Sequence, residues 1–178
     1  MKKIIAILGN YYHDDGLLKQ SIGNVLQRSK TETEHIKVEY VRVEQLAEKL
    51  QERPDAVILS KTNKLNPTEQ NMECWMDKNL ETQICQYVHQ GGGWFVWHSG
   101  LSSFECLEGY YSMVRGKFDF HPPKHLVVTY QYNERPEMIC KEINTFQVKQ
   151  MYFCMQIHLK ENQQLVGGTN TEKVESFV

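Results

Sequence analysis

The chain has 178 residues, 40% of them hydrophobic, and 22 acidic against 20 basic side chains give a net charge of -2; this suits one compact domain with a core large enough to fold unaided. Charges of both signs are mixed along the sequence, so there is no basic face of the kind that DNA, RNA or anionic lipid requires, and neither nucleic acid nor membrane is an expected partner. No run approaches the roughly 18 apolar residues that span a bilayer, and five scattered cysteines without a Cys-x-x-Cys pair fit a reducing cytoplasm better than a disulfide framework.

Met1 to Leu8 is too short an apolar run for a signal peptide and lacks a small-residue cleavage site, so Lys3 to Leu8 is read as a first strand. Asp14-Asp15 then precedes Leu17, Leu18, Ile22, Val25 and Leu26, a helical spacing whose acidic start suits the positive end of a helix. Ile36, Val38 and Tyr40 alternate with Lys37 and Glu39 as in a half-buried strand, which leads into a helical Val43–Leu50. Pro54-Asp55 introduces Ala56-Val57-Ile58-Leu59, a continuous apolar strand of the buried parallel type. Asn66-Pro67 predicts the start of a long helix running to Gln90. Strands alternating with helices imply a parallel sheet with right-handed crossovers, hence an α/β fold.

The segment Gly91-Gly92-Gly93-Trp94-Phe95-Val96-Trp97-His98-Ser99-Gly100 reads as a helix stop, a short buried strand and an abrupt turn that presents His98. In open α/β sheets functional groups collect beyond the carboxyl ends of strands, which makes His98 the leading site residue. Acyl-transfer enzymes place a serine or cysteine nucleophile at such a turn; here histidine stands there, and glycine follows at position 100 but valine, not glycine, precedes at 96. A helix beginning at the turn would disfavour the protonated imidazole and suit His98 to accept a proton, donate a hydrogen bond or bind metal. Ser99 is read as a helix-capping hydroxyl, and Cys106 as a small buried apolar residue rather than a nucleophile.

Beyond the turn, Leu107 to Val114 reads as a helix, Leu126 to Tyr130 as a strand, Gln150 to His158 as another, and the tail from Glu161 as polar and poorly specified. His121, His125 and Asp119 have the side chains of a zinc site, but Pro122 and Pro123 separate the histidines and exclude a helical ligand face. Rigid loop histidines are the preferred reading. No cofactor is expected, with a divalent metal such as zinc as the alternative.

Two motifs, Gly91-Gly92-Gly93-Trp94-Phe95-Val96-Trp97-His98-Ser99 and Tyr110-Tyr111-Ser112-Met113-Val114-Arg115-Gly116-Lys117-Phe118-Asp119-Phe120-His121-Pro122, resemble the ThuA-like, or trehalose-utilisation, family. The resemblance runs from the Lys3 strand to about Tyr152. It implies a single domain over residues 1–178 with a flavodoxin-like three-layer sandwich, a mostly parallel central sheet, and the class I glutamine amidotransferase-like architecture in which histidine replaces the cysteine nucleophile. It further implies a link to trehalose or keto-glycoside metabolism, a small carbohydrate-like ligand, His98 and His121 as the catalytic pair, and Tyr12, Ser99 and Tyr110 as substrate contacts, with Trp97 a further stacking surface. Lys149-Gln150 stands where the family carries an acidic pair, and the C-terminal end is short relative to the family. A non-catalytic structural or regulatory homo-oligomer is therefore the alternative, with homodimerisation through an exposed sheet edge. Amidotransfer is not expected, because the elbow has no thiol.

Overall fold

A computed structural model describes residues 1–28, 35–120, 126–131, 145–150 and 154–157. The chain forms two compact units, Met1–Val114 and Arg115–Val178.

The first unit contains β1 (Lys2–Leu8), α1 (Asp15–Arg28), β2 (Ile36–Tyr40), a 3-10 turn (Val43–Gln45) continuing into α2 (Leu46–Gln51), and β3 (Ala56–Ser60). It goes on through α3 (Lys78–His89), β4 (Gly93–Val96), a second 3-10 turn (His98–Leu101) and α4 (Glu108–Val114). The four strands form one sheet in the order β2-β1-β3-β4, and every pairing is parallel. Non-consecutive neighbours in a parallel sheet require crossover connections, as the alternation of strands and helices predicts. In the second unit β5 (Gly116–Phe120) pairs antiparallel with β8 (Cys154–Ile157), with an irregularity between Phe118 and Phe120. There β6 (Leu126–Gln131) pairs antiparallel with β7 (Thr145–Gln150). Sequence reading anticipates β6. It misses β5 and β7, and the strand expected over Gln150 to His158 is observed at Cys154–Ile157, after Gln150 has closed β7.

The core of the first unit lies on one face of the sheet. Ile5 and Ile7 of β1 stand opposite Val57 and Leu59 of β3, and all four are at most 1% exposed. Leu46 and Leu50 from α2, Ile84 and Tyr87 from α3, and Tyr110 from α4 complete the cluster with Phe104 and Leu107. Each of these large side chains contributes about 1.5–3 kcal/mol on removal from water, so α2, α3 and α4 are held mainly through this one face.

The long helix expected from Asn66 begins instead at Lys78. The side chain of Asn66 organises a loop in its place. Its Nδ2 donates to the carbonyl of Asn71 at 2.8 Å, and its Oδ1 accepts from the amide of Glu73 at 2.7 Å. Asparagine competes for backbone groups in this way, which explains why a proline after it starts no helix here. The next residues are tied back to the loop after β3: the Trp75 indole donates to the Thr62 carbonyl and the Met76 amide to the Asn63 side chain. Asp77 is the true N-cap, extended at φ -99°, ψ 178°, with its carboxylate accepting from the Leu80 amide at 2.8 Å.

The helix stop at the glycines is as the sequence indicates. Gly91, at φ 96°, donates to the Val88 carbonyl, and Gly92 donates to that of Tyr87, the paired bonds of a Schellman motif. This closure aims the chain directly into β4, whose register against β3 sets Leu59 opposite Val96.

Replacing Asp77 by alanine is expected to lower stability by about 1 kcal/mol in urea denaturation. An unchanged midpoint would show that α3 does not depend on this cap.

Candidate active site at the carboxyl edge of the sheet

The chain leaves β4 through Trp97, whose amide donates to the Leu59 carbonyl at 2.8 Å, and then reverses at His98. His98 has φ 51°, a left-handed conformation that costs a non-glycine residue about 1–2 kcal/mol. Arg53, Ser103 and Arg115 share that conformation, so strain does not single His98 out. Its surroundings do. Gly100 packs so closely on the end of β3 that a Cβ there would lie 2.4 Å from the Leu59 carbonyl oxygen. The Tyr110 hydroxyl donates to the Gly100 carbonyl at 3.3 Å and accepts from the Trp94 indole at 3.2 Å, bracing the turn from the core side.

The partner of His98 is a residue that sequence reading did not select. His13, in the connection between β1 and α1, places its Nε2 2.9 Å from Nε2 of His98, with the rings edge-on at 84° and 4.7 Å between centroids. His13 is positioned by a tight turn: the Asn10 and His13 amides and carbonyls bond reciprocally at 3.0 and 3.2 Å, leaving Tyr11 and Tyr12 at the exposed tip. The Asn10 side-chain oxygen accepts from the Tyr12 amide at 2.8 Å and lies 2.9 Å from His13 Nδ1. A signal for His13 was present, since the rule that exposes His98 after β4 applies equally to the segment after β1.

The backbone bond fixes the Asn10 acceptor, so His13 Nδ1 carries a proton and donates to it. With His13 neutral, its Nε2 is then the lone-pair nitrogen, and His98 Nε2–H donates across the pair. His98 is held neutral down to about 4, first by burial and second by the neighbouring His13; burial lowers His13 as well. The expected cause, the dipole of a following helix, is replaced by these two, because His98 opens only a four-residue 3-10 turn, His98–Leu101.

Other expected site residues are dispersed. Tyr12 is 64% exposed and adjoins the pair, so its ring is open to a ligand. Tyr110 is fully buried, and its ring packs in the core with Phe104 and Trp94. Trp97 is half-buried. Ser99 is 4% exposed and caps no helix: it is the second residue of the turn, and its backbone carbonyl accepts from the Ser102 amide. Asn10 Nδ2, Ser60 Oγ and Ser99 Oγ, all on residues at this edge of the sheet, are buried without hydrogen-bond partners among the described residues. Cys106 is exposed, against the expectation of a buried apolar residue. His121 and His125 lie outside the described residues, as does the side chain of Asp119. Among the described residues no three His, Cys, Asp or Glu side chains group as metal ligands.

The neutral pair links stability to pH. Both histidines bind protons less readily folded than unfolded, so their contribution is complete above an unfolded value near 6.5 and is lost as pH falls from there toward about 4. The urea midpoint is expected to drop between pH 7.5 and 5, above the range in which the carboxylates titrate. His98→Asn, which tolerates the left-handed backbone, should flatten that drop. An equal drop in variant and parent would contradict the buried neutral pair.

The ThuA family profile, described as trehalose utilisation, matches residues 8–175. Among solved structures, a ThuA-like protein from Bacteroides uniformis ATCC 8492 is similar over 85% of this chain and 60% of its own length, with a TM-score of 0.58 and 14% identity. A cytoplasmic protein from Salmonella typhimurium LT2 is similar over 94% of this chain and 79% of its own, with a TM-score of 0.59 and 17% identity. The chain thus spans about three fifths of the Bacteroides protein. No curated protein matches it. Among the described residues no helix is long and apolar enough to cross a membrane. The parallel β2-β1-β3-β4 sheet is the flavodoxin-like α/β arrangement expected of this family, and the chain belongs to the ThuA, or trehalose-utilisation, family.

Proposed function

We propose that the protein binds a small uncharged carbohydrate, trehalose or a keto-glycoside related to it, at the carboxyl edge of the sheet beside His98 and His13. The observation that carries this reading is the 2.9 Å contact between the two imidazoles, held neutral at physiological pH. A sugar hydroxyl that took the place of either ring's partner would meet the His98 Nε2–H donor or the His13 Nε2 acceptor, which otherwise bond each other, without the desolvation cost of a charge. It also holds a proton between two ring nitrogens, the equipment of general acid-base chemistry at a sugar hydroxyl. The exposed Tyr12 ring supplies an apolar face of the type on which sugar rings stack. The partnerless polar atoms of Asn10, Ser60 and Ser99 favour a polar occupant, because a buried unsatisfied group costs about 1–3 kcal/mol.

Histidine at the elbow gives no thiol for acyl transfer, so glutamine hydrolysis is not part of this reading. The scattered cysteines without a Cys-x-x-Cys pair support a cytoplasmic location, and the similar Salmonella protein is described as cytoplasmic.

At one hundred times its dissociation constant a ligand stabilises its protein by about 2.7 kcal/mol, a rise of several degrees in Tm. Trehalose and 3-keto-trehalose are therefore tested by thermal denaturation. At least one is expected to raise the Tm of the parent, and His98→Asn and His13→Gln are expected to abolish the rise while remaining folded. A rise that persists in both variants, or none with either sugar, would remove the assignment. A glutaminase assay is expected to be blank, and turnover would overturn the reading of the elbow.

A further inference from the structure

The carboxyl edge carries a second feature, a cleft of about 250 Å³ that neither histidine lines. Its walls include Asp15 and Lys19 of α1, Tyr40 at the end of β2, Arg42 and Glu44 just beyond it, and Lys61 directly after β3. Two of its three cations are matched. Lys19 pairs with Asp15 at 2.6 Å and also lies over the Tyr40 ring at 5.5 Å, while Arg42 stands 3.8 Å from the Glu44 carboxylate.

Lys61 is not matched. Its Nζ donates to the Gly9 carbonyl at 3.0 Å, and among the described residues it forms no ion pair. It is also only partly exposed, and burial disfavours its charged form, with Glu44 acting in the opposite direction. An ammonium has three donors, of which one is used here, and a charge drawn partly out of water toward a neutral carbonyl is incompletely compensated. The cleft is smaller than the roughly 300 Å³ at which pockets for drug-sized ligands begin, which restricts its occupant to about one sugar ring. Ligands of open α/β sheets bind at this edge, beyond the strand ends.

We propose that this cleft binds the anionic group, a carboxylate or a phosphate, of a monosaccharide-sized ligand, and that the Lys61 ammonium recognises it. A charge-assisted bond from Nζ to an anionic oxygen supplies the partner that the Gly9 carbonyl cannot. Lys19 and Arg42 are offset by Asp15 and Glu44 in the same walls, which leaves Lys61 as the unbalanced positive charge of the cleft. The proposal does not rest on the histidine-pair reading: trehalose carries no charge, and either ligand class can bind while the other fails.

The test uses the full chain and isothermal titration with three probes: glucose, gluconate and glucose 6-phosphate. At least one anionic probe is expected to bind about tenfold or more tighter than glucose. Preference for gluconate identifies a carboxylate ligand, and preference for glucose 6-phosphate a phosphate. Lys61→Met is expected to remove that advantage, and Lys61→Arg to retain most of it. Glu44→Gln, which takes a negative charge from the wall, is expected to tighten anion binding. Anionic probes that bind no better than glucose would overturn the proposal even if Lys61→Met fails to fold. Unchanged anion affinity in a folded Lys61→Met would also overturn it, as would weakened affinity in Glu44→Gln.

Discussion

The parallel register of β1, β3 and β4 is the constraint from which the site follows. Burial of Ile5 and Ile7 against Val57 and Leu59 fixes that register, because a one-residue slip would turn these side chains to the opposite face. With the register set, Leu8 lies opposite Ser60, and Leu59 opposite Val96. The strands therefore end at nearly one level. Whatever follows them in the chain is delivered to a common edge, and His13 and His98 meet there although 85 residues separate them.

The same burial decides the chemistry of the pair. An imidazole in water titrates near neutrality, but these two are partly withdrawn from solvent and adjacent, so protonation of one opposes protonation of the other. A neutral pair can exchange hydrogen bonds with hydroxyl groups. The turn that presents His98 resembles a nucleophile elbow in its left-handed residue and in the close approach of Gly100 to β3. Its geometry survives the replacement of the nucleophile because backbone bonds and the Tyr110 brace hold it, independently of the side chain presented.

Much of the first unit was legible in the sequence. Continuous apolar runs mark β1 and β3, and the glycine triplet with its Schellman closure marks the passage from α3 to β4. The failures have local causes. Asn66 looked like a helix start, but its side chain satisfies the amide of Glu73 and the carbonyl of Asn71, a competition that residue types alone do not reveal. Tyr110 looked like a ligand contact because aromatic residues serve sugar stacking and core packing equally well; its complete burial places it in the core. β5 was hidden in a stretch read as motif residues, and β7 in one that received no reading apart from Lys149-Gln150, although both alternate as strands do.

By itself the sequence determined the α/β class, the succession of strands and helices in the first unit, and the presentation of His98 at a turn. These depend on periodicity, capping and turn chemistry, which act over a few residues. Only the tertiary structure decided that His13 is a partner of His98, that burial favours the neutral form of both, and that Lys61 lines a cleft with no ion pair among the described residues. Each of these depends on groups far apart in the chain being brought together and partly removed from water. Packing of the sheet sets that proximity and burial, and no local spacing records it.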